Sequence, residues 1–189
     1  MKYDASNRSR LVELDEDDFD KMKRLIDINL CGCMLVNNIF HSLLNEKGRI
    51  VIITSEVAGF DPMPFNGLYN VSKTALDSYA QALRQELNLI NQKVITIRPG
   101  AIKTPLCNKS ITDTIELSKR TILYEKQAYK FANIASKFMG KPLPPEKIAK
   151  LIYKVSIKKH PKIIYKKHCN IGLVLLNILP KKMQCFVIK

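Results

Sequence analysis

Apolar positions along the chain change their period several times, and each change marks an element. After an acidic run at residues 13–20 (ELDEDDFD), Met22, Leu25, Ile26 and Ile28 recur at helical spacing. Acidic side chains complement the positive end of a helix dipole, so a helix is expected from near Asp15 to about Asn45, with Gly32 permitting a close contact and Lys47-Gly48 ending it. Residues 49–54 (RIVIIT) form a short β-branched run bounded by Gly48 and a loop, the pattern of a strand buried on both faces. Gly59, Pro62, Pro64 and Gly67 mark 56–68 as a loop. Across 69–90 the apolar positions Val71, Ala75, Leu76, Tyr79, Ala82, Leu83 and Leu87 follow the 3.6 period of a long amphipathic helix. Residues 93–97 (KVITI) give a second strand, closed by Pro99-Gly100. Strand, long helix, strand is a βαβ unit, so the sheet is expected to be parallel, with its chemistry beyond the carboxyl ends of the strands.

The rest of the pattern is less regular. Residues 106–140 are lysine-rich and partly helical without a clear period, Pro144-Pro145 opens a helix through residue 157, and 162–166 (KIIYK) reads as a last strand. An apolar segment at 171–179, ended by Pro180, reads as core or lid. The expectation is an α/β fold, one domain over 1–189, with 106–189 as its basic carboxyl-terminal, substrate-side region.

Composition narrows the class. With 189 residues and 46% hydrophobic content the chain can bury a core, which excludes a disordered tail or a fibrous repeat. No stretch reaches the roughly 18 consecutive apolar residues of a membrane span, and the first thirty residues lack the apolar core of a secretory signal. Cys31, Cys33, Cys107, Cys169 and Cys185 are an odd number without CxxC spacing, so they read as reduced thiols of a cytoplasmic protein rather than a metal site. Charge divides the chain: residues 1–105 hold 13 basic and 13 acidic side chains, residues 106–189 hold 18 and 4, so the whole excess of +14 lies in the second part. It is nearly all lysine without interleaved aromatics, which argues against nucleic acid and reads first as a solvated surface, with peripheral membrane contact as the less favoured alternative.

Candidate chemistry gathers at one place. Tyr69 and Lys73, four apart in the first turns of a helix, share a face about 5–6 Å apart. An ammonium there favours the tyrosinate and brings a phenol toward the range useful for proton transfer. Ser55, at the end of the preceding strand, reaches the same cleft and suits a hydrogen bond to a substrate oxygen. Together the three suit hydride exchange between an alcohol or ketone and a nicotinamide.

The ordered set IDINLCG, GRIVIITS, YNVSK and RPGAIKT resembles the short-chain dehydrogenase/reductase family from about Leu11 onward. That resemblance implies that Asn29 holds a proton-relay water to the lysine, Ser55 polarises the substrate carbonyl, and Tyr69 exchanges the proton. It also implies that Lys73 holds the ribose of NAD or NADP, that Pro99, Gly100 and Ile102 border the nicotinamide, and that Thr104 binds its carboxamide or a phosphate. The implied fold is a partial Rossmann-like parallel sheet with helices on both faces.

Two departures accompany it. Ser55 precedes Tyr69 by fourteen residues, one more than is usual in the family, and Glu56 stands at the usual position; a one-residue insertion around Asp61-Pro62 accounts for the offset. The glycine-rich turn that opens family members, whose backbone amides approach the pyrophosphate, is missing: the seven glycines lie at 32, 48, 59, 67, 100, 140 and 172, no two within three residues. The chain therefore reads as amino-terminally truncated, without the first βαβ dinucleotide-binding unit and with an open edge on strand 49–54. Alone it is expected to be poorly soluble or oligomeric and to bind dinucleotide weakly. The functional expectation is an NAD(P)-dependent oxidoreductase interconverting a secondary alcohol and a ketone, lipid-, steroid- or retinol-like, inactive without its nucleotide-binding half. Its partners would be that small-molecule substrate, another copy of itself or a separately encoded amino-terminal half. The alternatives are a noncatalytic pseudoenzyme whose basic surface meets an acidic partner or a membrane, and a fragment with no independent existence.

Overall fold

The structure is a computed structural model that describes residues 11–13, 16–138 and 141–189. The expected helix start near Asp15 lies outside the described residues. Helix α1 (Glu16–Ile26) runs through a π-helical turn (Asp27–Cys31) into α2 (Gly32–Phe40), and a short 3-10 turn (His41–Leu43) ends it before the expected Asn45. Strand β1 (Arg49–Ile53) follows, then a 3-10 turn (Glu56–Gly59), α3 (Gly67–Asn88) and β2 (Lys93–Pro99). The remaining elements are α4 (Pro105–Arg120), α5 (Glu125–Phe138), α6 (Pro145–Ile157), β3 (Ile164–Lys167), α7 (Ile171–Ile178) and α8 (Lys181–Ile188). The aperiodic stretch 106–140 thus resolves into two helices, and α8 is an element the pattern did not announce.

The three strands among the described residues are parallel in the order β1-β2-β3. Arg49 pairs with Lys93 and Ile53 with Ile97 on one side of β2, and Thr96 with Ile164 on the other. Because side chains alternate along a strand, each face of the sheet has its own core. On one face Ile52 and Val94 pack with Leu76, Ala80 and Leu87 of α3, joined by Leu30 of the π-helical turn and Cys33 of α2. On the other, Ile95 and Ile97 pack with Val155 of α6, and Val51 and Tyr165 complete the contact. Helices therefore cover both faces of a parallel sheet, as expected.

One expectation fails. Strand β1 is not buried on both faces: Ile52 is buried, but Ile53 is 42% exposed. The physical reason is position. Among the described residues β1 lies at the end of the sheet, so the last residue of its outer side has no neighbouring strand; α6 is held to its start, where the Arg49 guanidinium donates to the carbonyls of Val155 (2.9 Å) and Lys158 (2.8 Å).

Candidate functional site

The carboxyl ends of β1 and β2 converge with the first turns of α3. Helix α3 begins at Gly67, so Tyr69 and Lys73 occupy consecutive turns on one face, and the Lys73 Nζ lies 5.8 Å from the centroid of the Tyr69 ring. That is within reach of a cation–π contact. Burial pushes the Lys73 ammonium below the ordinary lysine range, with the nearby Cys33 thiol acting weakly the other way. Burial likewise pushes the Cys33 thiol up, opposed by Lys73 and by the Asn37 amide, whose Nδ2 donates to Cys33 Sγ at 3.7 Å.

Asn29 sits within the π-helical turn and is buried. A π turn displaces the helix surface by inserting a residue into one turn, and such turns recur at functional sites. Here the Asn29 Nδ2 donates to Ser72 Oγ at 3.1 Å, and Ser72 Oγ donates in turn to the Tyr69 carbonyl at 2.8 Å. The structure thus places Asn29 on the residue before Lys73 and ties it to the backbone of Tyr69.

Ser55 directly follows β1 and Thr54. It is buried, and its Oγ accepts from the Val57 amide at 3.4 Å, capping the 3-10 turn that starts at Glu56. A hydroxyl that accepts there keeps its own proton for a second partner. Glu56 turns away toward β3: its Oε2 accepts the Asn170 amide at 2.7 Å, and burial pushes its carboxyl above the ordinary range, opposed by that hydrogen bond and by His168. The loop between Glu56 and α3 is held by Asn70, whose Nδ2 donates to the Val57 carbonyl at 2.9 Å.

At the end of β2, Pro99 is buried in the strand and Gly100 donates its amide to the Lys167 carbonyl at 2.9 Å. A Cβ on Gly100 would fall on the carbonyl oxygen of His168, so glycine here serves the close approach of the segment after β3. Ile102 bridges to Leu143, and Thr104 is the N-cap of α4, accepting from the Cys107 amide at 3.4 Å. Asn29, Ser55, Tyr69 and Lys73 are thus drawn around the start of α3, while Pro99, Gly100, Ile102 and Thr104 follow one another along the neighbouring strand end.

A polar network escaped the sequence reading. Asp77, one turn beyond Lys73 on the same face of α3, accepts from Thr54 Oγ1 at 3.1 Å and from Arg98 Nε at 2.9 Å. The bidentate pair holds the Arg98 guanidinium above its ordinary value. Tyr69, Lys73 and Asp77 repeat every four residues, and that spacing was the available signal. Among the described residues no cluster of three potential metal ligands occurs.

A family model described as short chain dehydrogenase matches residues 5–115. A reductase of Schizosaccharomyces pombe, named NADPH-dependent 1-acyldihydroxyacetone phosphate reductase, is 36% identical over 95 residues, covering 50% of this chain and 32% of the relative. Among solved structures, a short chain dehydrogenase family protein of Francisella tularensis superposes with a TM-score of 0.68 at 17% identity, over 87% of this chain and 66% of that one. A short chain dehydrogenase of Burkholderia cenocepacia in complex with NADP gives 0.65 at 12% identity, over 96% and 63%. The chain spans about a third of that curated relative and under two thirds of these structures.

Proposed function

Since this chain belongs to the short-chain dehydrogenase family, we infer that it carries the proton-transfer side of an NAD(P)-dependent oxidoreductase site that interconverts a secondary alcohol and a ketone. The observation that carries the reading is the half-buried Lys73 ammonium, 5.8 Å from the centroid of the Tyr69 ring. In reduction, Tyr69 Oη gives its proton to the carbonyl oxygen as negative charge develops there; in oxidation it takes the proton back. Lys73, half-buried, stabilises the tyrosinate left behind, because a charge partly withdrawn from water acts more strongly than one fully solvated. Ser55, already accepting from Val57, directs its own O–H to the same substrate oxygen. Asn29 is a positioning residue: through Ser72 it fixes the turn that aims Tyr69.

A nicotinamide, when bound, supplies the hydride chemistry. The residues present fit its ribose and ring end, where Tyr69 and Lys73 meet the strand end bearing Pro99, Gly100, Ile102 and Thr104. They do not fit the pyrophosphate, because no two of the seven glycines are close enough to form a backbone cradle. The S. pombe relative is named for an acyl-lipid ketone, which favours a lipid-like substrate and NADPH here. We place the protein in the cytoplasm, with a second copy or a separately encoded nucleotide-binding unit as partner.

The test supplies a glycine-rich βαβ unit, fused upstream or in trans, and follows nicotinamide absorbance with long-chain ketones and alcohols. Turnover is expected, and Tyr69→Phe should reduce it roughly 10²–10⁴-fold. Turnover that survives Tyr69→Phe overturns the assignment. Absence of turnover under every complementation favours the second reading, a noncatalytic family member.

A further inference from the structure

Helices α7 and α8 are built inside out. Their polar side chains face the protein: Gln184, 5% exposed, donates from Nε2 to Asp61 Oδ2 and to the Leu179 carbonyl, both at 2.9 Å, and Asn177 Oδ1 accepts the Asp61 amide at 2.6 Å. Asn170 caps α7 by accepting from the Leu173 amide at 3.2 Å, while its own amide is held by Glu56. Lys181 also pairs with Asp61. Many of the apolar side chains point outward instead: Ile171 is 75% exposed, Phe186 is 82% exposed, and Leu175, Ile178, Met183 and Val187 are each more than half exposed, while Leu173, Leu176 and Ile188 are half-buried. Between the two helices lies an apolar groove of about 460 Å³, lined by Gly172, Leu175, Leu176, Ile178, Leu179 and Val187.

An exposed apolar patch on a folded protein marks a partner, and its surroundings state which kind. From Lys166 to the carboxyl terminus there are five lysines, Lys166, Lys167, Lys181, Lys182 and Lys189, and no aspartate or glutamate. All five are exposed. The two carboxylates that face the helices, Glu56 and Asp61, are the ones that tether them to the loop before α3. Each helix has eight residues and so rises about 12 Å, far less than the ~30 Å hydrocarbon core of a bilayer. No helix among the described residues is long and apolar enough to cross a membrane. An apolar face with a lysine rim and no acidic counterweight fits the boundary of an anionic bilayer, where apolar side chains enter the acyl layer and lysines meet lipid phosphates. We propose that α7 and α8 form an in-plane docking surface for anionic membranes. Their anchors run to Glu56 and Asp61, in the loop between Ser55 and Tyr69, so docking sets the mouth of the candidate site beside the lipid. The surface acts whether or not Tyr69 turns substrate over.

The test is flotation of the full chain with phosphatidylcholine vesicles containing about 30% phosphatidylserine, against pure phosphatidylcholine. Aggregates sink and bound protein floats, so limited solubility does not obscure the result. The chain should float with the anionic vesicles, and float roughly tenfold less with neutral vesicles or at high salt. Leu175→Ser with Phe186→Ser should lower binding at least about tenfold with an unchanged circular dichroism spectrum, since both side chains already lie in solvent. Lys182→Glu with Lys189→Glu should do the same on anionic vesicles alone. Equal flotation with both vesicle types, no flotation with either, or flotation unaffected by the serine pair overturns the proposal. So does a dimer that the serine pair dissolves when no vesicle binding is found, which would make the occupant a second copy.

Discussion

Residues 16–104 and residues 105–189 differ in charge and in what holds their helices to the sheet. In the first region α3 presses its apolar face onto β1 and β2, α2 leaves Leu35, Val36, Ile39 and Phe40 in solvent, and the chemically distinctive groups are tied down: Asn29 to Ser72, Ser55 to Val57, Asp77 to Arg98. In the second, α6 and β3 complete the sheet, while α7 and α8 turn leucine, isoleucine and phenylalanine to the outside and hold on by polar bonds. The first region is neutral and the second carries the whole net charge. The difference matches the two proposed roles, which make contrary demands on one chain: proton transfer needs side chains locked by their neighbours, and docking needs a surface left open.

The largest expected effect breaks or upholds this contrast directly. Ile97, fully buried between β2 and α6, should cost about 2–5 kcal/mol when changed to alanine, because the cavity cannot collapse beneath a central strand. Leu175→Ala, at a site 60% exposed, should change stability by less than about 0.5 kcal/mol. Denaturant unfolding monitored by circular dichroism measures both. Equal costs would mean that α7 is packed as core, and the division of the chain would fall.

The same contrast explains what the sequence made visible. The βαβ unit was legible because its burial obeys ordinary periods: Leu76, Ala80 and Leu87 line one helical face, and Val94 and Ile95 alternate between the two cores. Tyr69 and Lys73 were legible because a helix fixes the distance between residues four apart. The role of Asp77 was not, since its partners Thr54 and Arg98 come from two strands that only the folded sheet brings beside α3. Helix α8 was missed because its pattern is inverted, with Gln184 buried and Phe186 in solvent, and a pattern read as core-facing apolar residues has no place for it. Strand β1 looked doubly buried because RIVIIT does not reveal how far the helices cover its faces, although the open edge expected of it is where the sheet of the described residues ends.

An intermediate effect is expected at Asp77. Replacing its carboxylate by an amide, Asp77→Asn, removes the charge that pairs with Arg98 and leaves that guanidinium short of an acceptor, at a cost of about 1.5–3 kcal/mol. Because Asp77 joins the end of β1 to α3 and β2, hydrogen exchange should accelerate in those three elements and stay unchanged in the α4 and α5 pair. Acceleration spread evenly over both regions would show that they unfold as one unit and that the contrast is confined to their surfaces.

The smallest change in stability should carry the opposite sign. Burial holds the Lys73 ammonium below the ordinary lysine range, so the folded chain binds that proton less tightly than the unfolded chain does. The folded state is therefore penalised wherever Lys73 is charged, and the penalty fades as pH rises through the folded value toward the ordinary value of about 10.4. Lys73→Met, which keeps much of the aliphatic stem and removes the charge, should raise the melting temperature at neutral pH, with a gain that shrinks as the solution becomes alkaline. In the complemented enzyme the same substitution should abolish turnover. A residue that weakens the fold where it stands and is needed there for proton transfer is the signature expected of a functional group. A melting temperature lowered by Lys73→Met at neutral pH would instead mean that the ammonium is a structural tie, and Tyr69 would lose the neighbour on which its assigned role depends.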